Sequence, residues 1–288
     1  MAILTDIRDA QKFRRYVKIK EPLISVPALA LWKDQGRIIT PETAEAAIRA
    51  GSVPDSWAQE WDRSFRVFVR DNIAPAWIRS ISHAGAVIAK AVNDLAKKDF
   101  VFDDTMARVK AWIDSQGGKL IVDLSATQMK TIHALLQAQI TLGVTSPYIL
   151  AQRLKPLVGL TNREAKAVSK FIATLAEEGT PAALINARSA DYARFLHKRR
   201  AARIAQTEIS NGYWFGQMDS LRQSISDGWL KGIPEKSWLA GGPNPCEICE
   251  ENEAAGSIPI EEPFPSGDDR PTAHPSCACA LGITAKAA

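Results

Sequence analysis

All four cysteines of this chain fall within 34 residues near its C-terminal end, as Cys246-x2-Cys249 and Cys277-x-Cys279, with His274 three residues ahead of the second pair. Few arrangements satisfy such a cluster. A Cys-x2-Cys turn sets two thiolates on one side of a tight loop, where both reach a single Zn2+ at about 2.3 Å while backbone N–H groups point at the sulfurs. The second cluster then closes the tetrahedron. Cys246, Cys249, His274, Cys277 and Cys279 are five candidate ligands for four positions, and either His274 with Cys277 or Cys277 with Cys279 can complete the set. At least three cysteines are expected to bind, with His274 bound or supporting a bound residue from behind. Two disulfides are the rival arrangement, but Cys-x2-Cys spacing in a chain read as cytoplasmic favours a metal. A sulfur-rich set with no spare histidine and no glutamate base at fixed spacing reads as structural zinc, not catalytic zinc.

The remaining sequence limits the setting. The opening residues MAILTDIRDAQKFRRY interleave charged and apolar positions, so no secretory signal is expected. The longest apolar stretches, such as AGAVIA at 84–89, fall well short of the roughly 20 residues of a membrane span. A soluble protein made in the cytoplasm is expected. Net charge is a mild +4, but its distribution is uneven. Residues 245–270 hold eight acidic side chains against Arg270 alone, which leaves +10 on residues 1–244. A basic body with an acidic C-terminal segment is either simply well solvated or works beside an acidic partner such as packaged double-stranded DNA.

Helical signals run from residue 40 to about 225. Thr40-Pro41-Glu42 places a capping residue before a first-turn proline and predicts a helix through Ile48. Ser125-Ala126-Thr127-Gln128 and Thr161-Asn162-Arg163-Glu164 read as capping boxes. The first predicts a helix with Met129, Ile132, Leu135, Leu136 and Ile140 on one face and Gly143 as its stop. The second predicts one with Ala165, Val168, Phe171, Ile172 and Leu175 inward, ending near Gly179 and Pro181. Trp57, Trp61, Phe65, Phe68 and Trp77 recur at helical spacing and read as core or subunit contact. From about residue 232, prolines and glycines break any long helix. The expected fold is mainly α, a helical body with a small C-terminal α+β zinc-knuckle module. Its parts are an N-terminal helical region (1–104), a helical core (105–231) and the knuckle (232–288), with a short strand or hairpin arm at 257–262.

The run from Trp238 to Leu281, with CEIC, a loop containing Gly256 and Phe264, and AHPSCACAL, resembles the C-terminal signature of the phage Mu F-like head morphogenesis family. Upstream, Arg203-Ile204-Ala205-Gln206-Thr207-Glu208 resembles a helix of that family, and the stretches Gly143–Pro147 and Gly159–Thr161 fit its pattern. The resemblance covers residues 105 to 281. Gln206 and Ala278 stand where the family has Arg, and Pro243-Asn244-Pro245 replaces its Asp-x-Arg; none of these positions is a proposed metal ligand. The resemblance implies a bacteriophage minor head protein acting in capsid morphogenesis. It would be associated with the portal protein inside the prohead, with a scaffold or major capsid protein and packaged DNA as further partners. Such a protein is made in the host cytoplasm and ends inside the virion.

His83, His133 and His197 are scattered with no nucleophile pattern beside them, so no catalytic triad and no enzyme activity are expected. Glu208, beside Thr207 and Arg203, is expected to form an internal ion pair that orients the knuckle on its helix. The basic run containing Arg194, Lys198, Arg199 and Arg200 reads as a solvated face or as a contact for DNA phosphates. The rival function is a zinc-dependent nucleic-acid-binding protein or nuclease.

Overall fold

The computed structural model describes residues 2–242 and 244–288; Pro243 of the Pro-Asn-Pro stretch lies outside them. Two compact units are present: Met1–Ile24, Ile73–Ile113 and Arg203–Ala288 form one, Ser25–Asn72 and Asp114–Ala202 the other. The chain is mainly helical with a small four-stranded sheet. In order it forms β1 (Ala2–Thr5), α1 (Ile7–Lys20), α2 (Pro22–Arg37), α3 (Pro41–Ala50), α4 (Asp55–Phe68) and α5 (Ala74–Ala96). Then follow α6 (Ala107–Thr141), α7 (Pro147–Leu154), α8 (Asn162–Glu177), α9 (Ala182–Ser226), β2 (Leu230–Leu239), α10 (Glu247–Ala254), β3 (Ser257–Pro259) and β4 (Ala280–Ala287). No helix among the described residues is long and apolar enough to cross a membrane.

In the second unit, local chemistry sets the helix starts. Thr40 caps α3 and Thr43 returns the bond, while Thr161 and Glu164 form the reciprocal pair that starts α8. The stripe on α4 is core: Trp57, Trp61, Phe65 and Phe68 are all buried. The Trp61 indole donates to the Gln35 carbonyl at 3.2 Å and the Gln35 amide donates to Ser64 Oγ at 2.6 Å, which ties α2 to α4.

One expected start fails. Ser125 to Gln128 do not begin a helix, because α6 is already under way from Ala107 and passes through all four residues. A cap needs an extended backbone at its own position. Extending an existing helix needs no new nucleus, so the favourable local signal is overridden. Ser125 Oγ and both amide atoms of the buried Gln128 accordingly find no hydrogen-bond partner among the described residues. The stop at Gly143 does appear, with its N–H bonded to the Ile140 carbonyl. The segment after Gly143 forms α7, capped by Ser146 with Pro147 in its first turn.

The first unit contains the sheet, whose strand order is β1-β4-β2-β3 with every pairing antiparallel. Most of it is C-terminal, and β3 falls where the hairpin arm was expected. Its edge strand β1 comes from the opposite end of the chain, with Ala2 opposite Ala285. Under it, α9 meets α5 at nearly backbone distance. A Cβ on Gly216 would sit 2.4 Å from the Ile81 carbonyl oxygen, one on Gly212 3.2 Å from Trp77 Cα, and Ser220 Oγ donates to the Gly85 carbonyl at 3.0 Å. Trp77 is fully buried in this unit. Phe13 of α1 packs on Tyr213 and Trp214 of α9, with ring centres 4.9 and 4.2 Å away.

Candidate metal centre

Strands β2 and β4 pair up to Leu239 and Ala280, so residues 240–279 form one excursion closed at its base by the sheet. On its first limb Cys246 is the N-cap of α10 and Cys249 lies in the helix's first turn. Unpaired N–H groups and the helix dipole there favour negative charge, which suits thiolates. On its second limb a tight turn brings the Cys277 N–H to the His274 carbonyl at 3.1 Å.

The imidazole is oriented by its own backbone. Nδ1 of His274 lies 3.1 Å from the Pro275 carbonyl oxygen, an acceptor, so Nδ1 carries the proton and Nε2 presents its lone pair. Nε2 faces Cys246 Sγ at 3.2 Å and Cys249 Sγ at 3.4 Å, while Cys249 Sγ lies 3.9 Å from Cys277 Sγ. Around a tetrahedral zinc with bonds of about 2.0–2.3 Å, ligand atoms sit about 3.5–3.8 Å apart, and the observed spacings bracket that edge. All four cysteines are free of disulfides. The donors form two groups within 4.8 Å, Cys246 with Cys249 and His274, and Cys249 with Cys277 and Cys279. This cluster can hold a metal ion.

Its electrostatics call for a cation. Burial pushes the Cys249 thiol up to about 12. Cys277 is also raised, first by its hydrogen bond to Cys279 and then by burial. Cys279 is pulled down to about 5, first by that same hydrogen bond and further by the Gly241 N–H, which donates to its sulfur at 3.4 Å. Thiolates packed side by side away from water repel one another, so a second is disfavoured beside the first. A bound dication removes that penalty and releases protons as it enters.

Three contacts fasten the second limb to the helices. The Ser276 N–H donates to Thr207 Oγ1 at 3.1 Å, and that hydroxyl donates to the Arg203 carbonyl at 2.8 Å. The Thr272 hydroxyl donates to the Asn211 carboxamide oxygen. From α1, Arg14 donates to the Ala278 carbonyl at 3.1 Å. Glu208 is buried with Asn211 Nδ2 at 3.4 Å from its carboxylate. The Arg203–Glu208 segment and the His274–Cys279 segment, separated by some 65 residues of sequence, are therefore in direct contact.

Several residues of this region carry no motif signal. Lys236 is fully buried, its ammonium donating to the Asp269 carbonyl at 2.7 Å and lying 5.1 Å from the Phe264 ring; burial lowers its pKa. Arg270 lies over Phe215, and burial lowers its pKa too. Trp238 meets Phe264 edge to face at 5.0 Å. A period-2 reading of β2 could have found Lys236, since it shares the inward face with Pro234 and Trp238.

The expected phosphate contacts divide. Arg194, Lys198 and Arg199 are exposed on α9, Arg194 paired with Asp191 and Arg199 5.6 Å from the Phe195 ring centre. Arg200 is not with them. It is buried, its guanidinium on the Gly159 carbonyl and 5.4 Å from the Trp32 ring, because the helical turn places it on the inward face with Ala193 and Leu196. The histidines are packed or on the surface: His83 stacks on Tyr16 at 4.4 Å, His197 bonds the Val158 carbonyl at 2.8 Å, and His133 is exposed. Comparison of the chain with protein-family models, with curated proteins and with solved structures finds no match.

Proposed function

We propose that this chain is a minor head protein of a tailed bacteriophage, a structural component of head morphogenesis with one zinc ion in its C-terminal knuckle. The observation that carries the reading is the Ser276–Thr207 hydrogen bond. The two segments that bear the family resemblance, far apart in sequence, form one local structure. Zinc suits a donor set of thiols and one imidazole, which excludes the hard oxygen-seeking cations. Its role is to hold the knuckle loop against α9, making a rigid face for the portal protein and for a scaffold or major capsid protein. Arg194, Lys198 and Arg199 are the contacts offered to packaged double-stranded DNA. The protein acts without turnover, in the host cytoplasm during assembly and then inside the capsid.

The test combines three measurements on the purified chain: zinc content, co-purification with a co-expressed phage portal protein, and plasmid nicking with added divalent metal. About one zinc per chain, stable association with the portal and intact plasmid are expected. Metal-dependent DNA cleavage abolished by a single substitution would replace the reading with a nuclease, and failure to associate with the portal would remove the assembly role.

A further inference from the structure

The five donor atoms form two triangles that share one corner, Cys249 Sγ. The triangles differ in surroundings. Cys249, Cys277 and Cys279 are all buried, whereas Cys246 is exposed and His274 partly so. Cys279 is also prepared for coordination from behind. The Gly241 N–H points at its sulfur from 3.4 Å, and the chain there can carry no side chain, since a Cβ would stand 2.1 Å from the Ala278 carbonyl oxygen. Backbone N–H groups directed at sulfur are the usual support of a metal-bound thiolate.

Four positions and five donors leave one donor over. We infer that Cys249, Cys277 and Cys279 form a permanent floor of three sulfurs, and that Cys246 and His274 exchange at the fourth, outward position. The inference rests on the metal reading above. Cys246 Sγ and His274 Nε2 lie 3.2 Å apart, and each is within 4.8 Å of Cys249, so the two stand together beside the one corner that both triangles share. The two stand on different limbs. His274 is on the limb fastened to α9 through Thr207 and Asn211, while Cys246 caps α10. Cys249 belongs to α10 as well, so an ion resting on the floor keeps both limbs attached while its fourth bond passes between the α10 cap and the second limb.

Cobalt(II) titration of the full-length chain reads this directly, because sulfur-to-cobalt charge transfer reports the number of bound thiolates. Wild-type protein is expected to bind one equivalent. His274→Ala keeps binding within about tenfold with an undiminished thiolate band, and Cys246→Ser does the same with a band reduced to three thiolates. The double variant Cys246→Ser/His274→Ala and the single variant Cys279→Ser each lose on the order of 100-fold in affinity. Helical circular dichroism shows in each case that the body is folded. If either outward substitution alone costs as much as the double, both residues are fixed ligands and the exchange is disproved. Unchanged affinity in Cys279→Ser removes the floor. A wild-type chain that binds no cobalt instead overturns the metal reading itself.

Discussion

Asn252 shows how one side chain can close a loop. It is fully buried on α10; its amide donates to Ser266 Oγ at 2.9 Å and its oxygen accepts the Ser266 N–H at 3.0 Å. Removing it hands that N–H to water, since Ser266 is exposed, and the net worth of such a hydrogen bond is about 0.5–1.5 kcal/mol. Asn252→Ala is therefore expected to speed hydrogen exchange at the Ser266 amide and at its neighbours in 260–270, while exchange in α5 is unchanged. Unaltered protection at Ser266 would contradict the assignment. Arg200 makes the complementary point. In sequence it is one more cation in a basic run, yet one helical step from the exposed Arg199 turns it into the interior.

At the level of elements, the approach of α9 to α5 depends on small residues four apart, Gly212, Gly216 and Ser220. Burying helix against helix at this distance leaves no room for a methyl group on Gly216, whose Cβ would lie 2.4 Å from the Ile81 carbonyl oxygen and 2.6 Å from its Cα. Neither neighbour is a flexible side-chain end. Gly216→Ala is expected to lower stability by about 1–3 kcal/mol through overpacking, despite alanine's better helix propensity. Gly118 in α6 is the control, since a Cβ there meets nothing within 4 Å. Gly118→Ala should raise stability by about 0.5–1 kcal/mol by removing conformational freedom from the unfolded chain. Denaturant midpoints for the two variants should move in opposite directions, and parallel shifts would refute the contact.

For the whole molecule, what matters is which parts depend on the metal. The helices have buried apolar faces of their own, and β4 is paired on both sides, with β1 and with β2. The excursion between those strands is rich in proline, glycine and acid, and its described residues add a smaller support, the three-residue β3 and a few buried side chains such as Ile260 and Phe264. Small zinc sites contribute on the order of 10 kcal/mol of apparent folding free energy to the segment that they organise. Cys246→Ser/Cys249→Ser, or chelation of the wild-type chain, should therefore leave the helical circular-dichroism signal and main thermal transition largely intact. New protease cleavage is expected between residues 244 and 279, with β4 still protected. Loss of the main transition would show that the helical body needs the ion as well.

The chemistry of the ligands was legible in the sequence because it is local. Cys246 and Cys249 share one helix start, and His274, Cys277 and Cys279 share one turn, so spacing alone brings each set together. The starts of α3 and α8 were legible for the same reason, their caps bonding three residues ahead. Tertiary structure decided whatever depends on a distant neighbour. It overrode the cap at Ser125 by continuing α6, and it withdrew Arg200 to Gly159 and Trp32. It paired Ala2 with Ala285 and set Ser276 on Thr207. No local propensity encodes such pairings, because their free energy comes from burial and hydrogen bonds that exist only once the two partners have met.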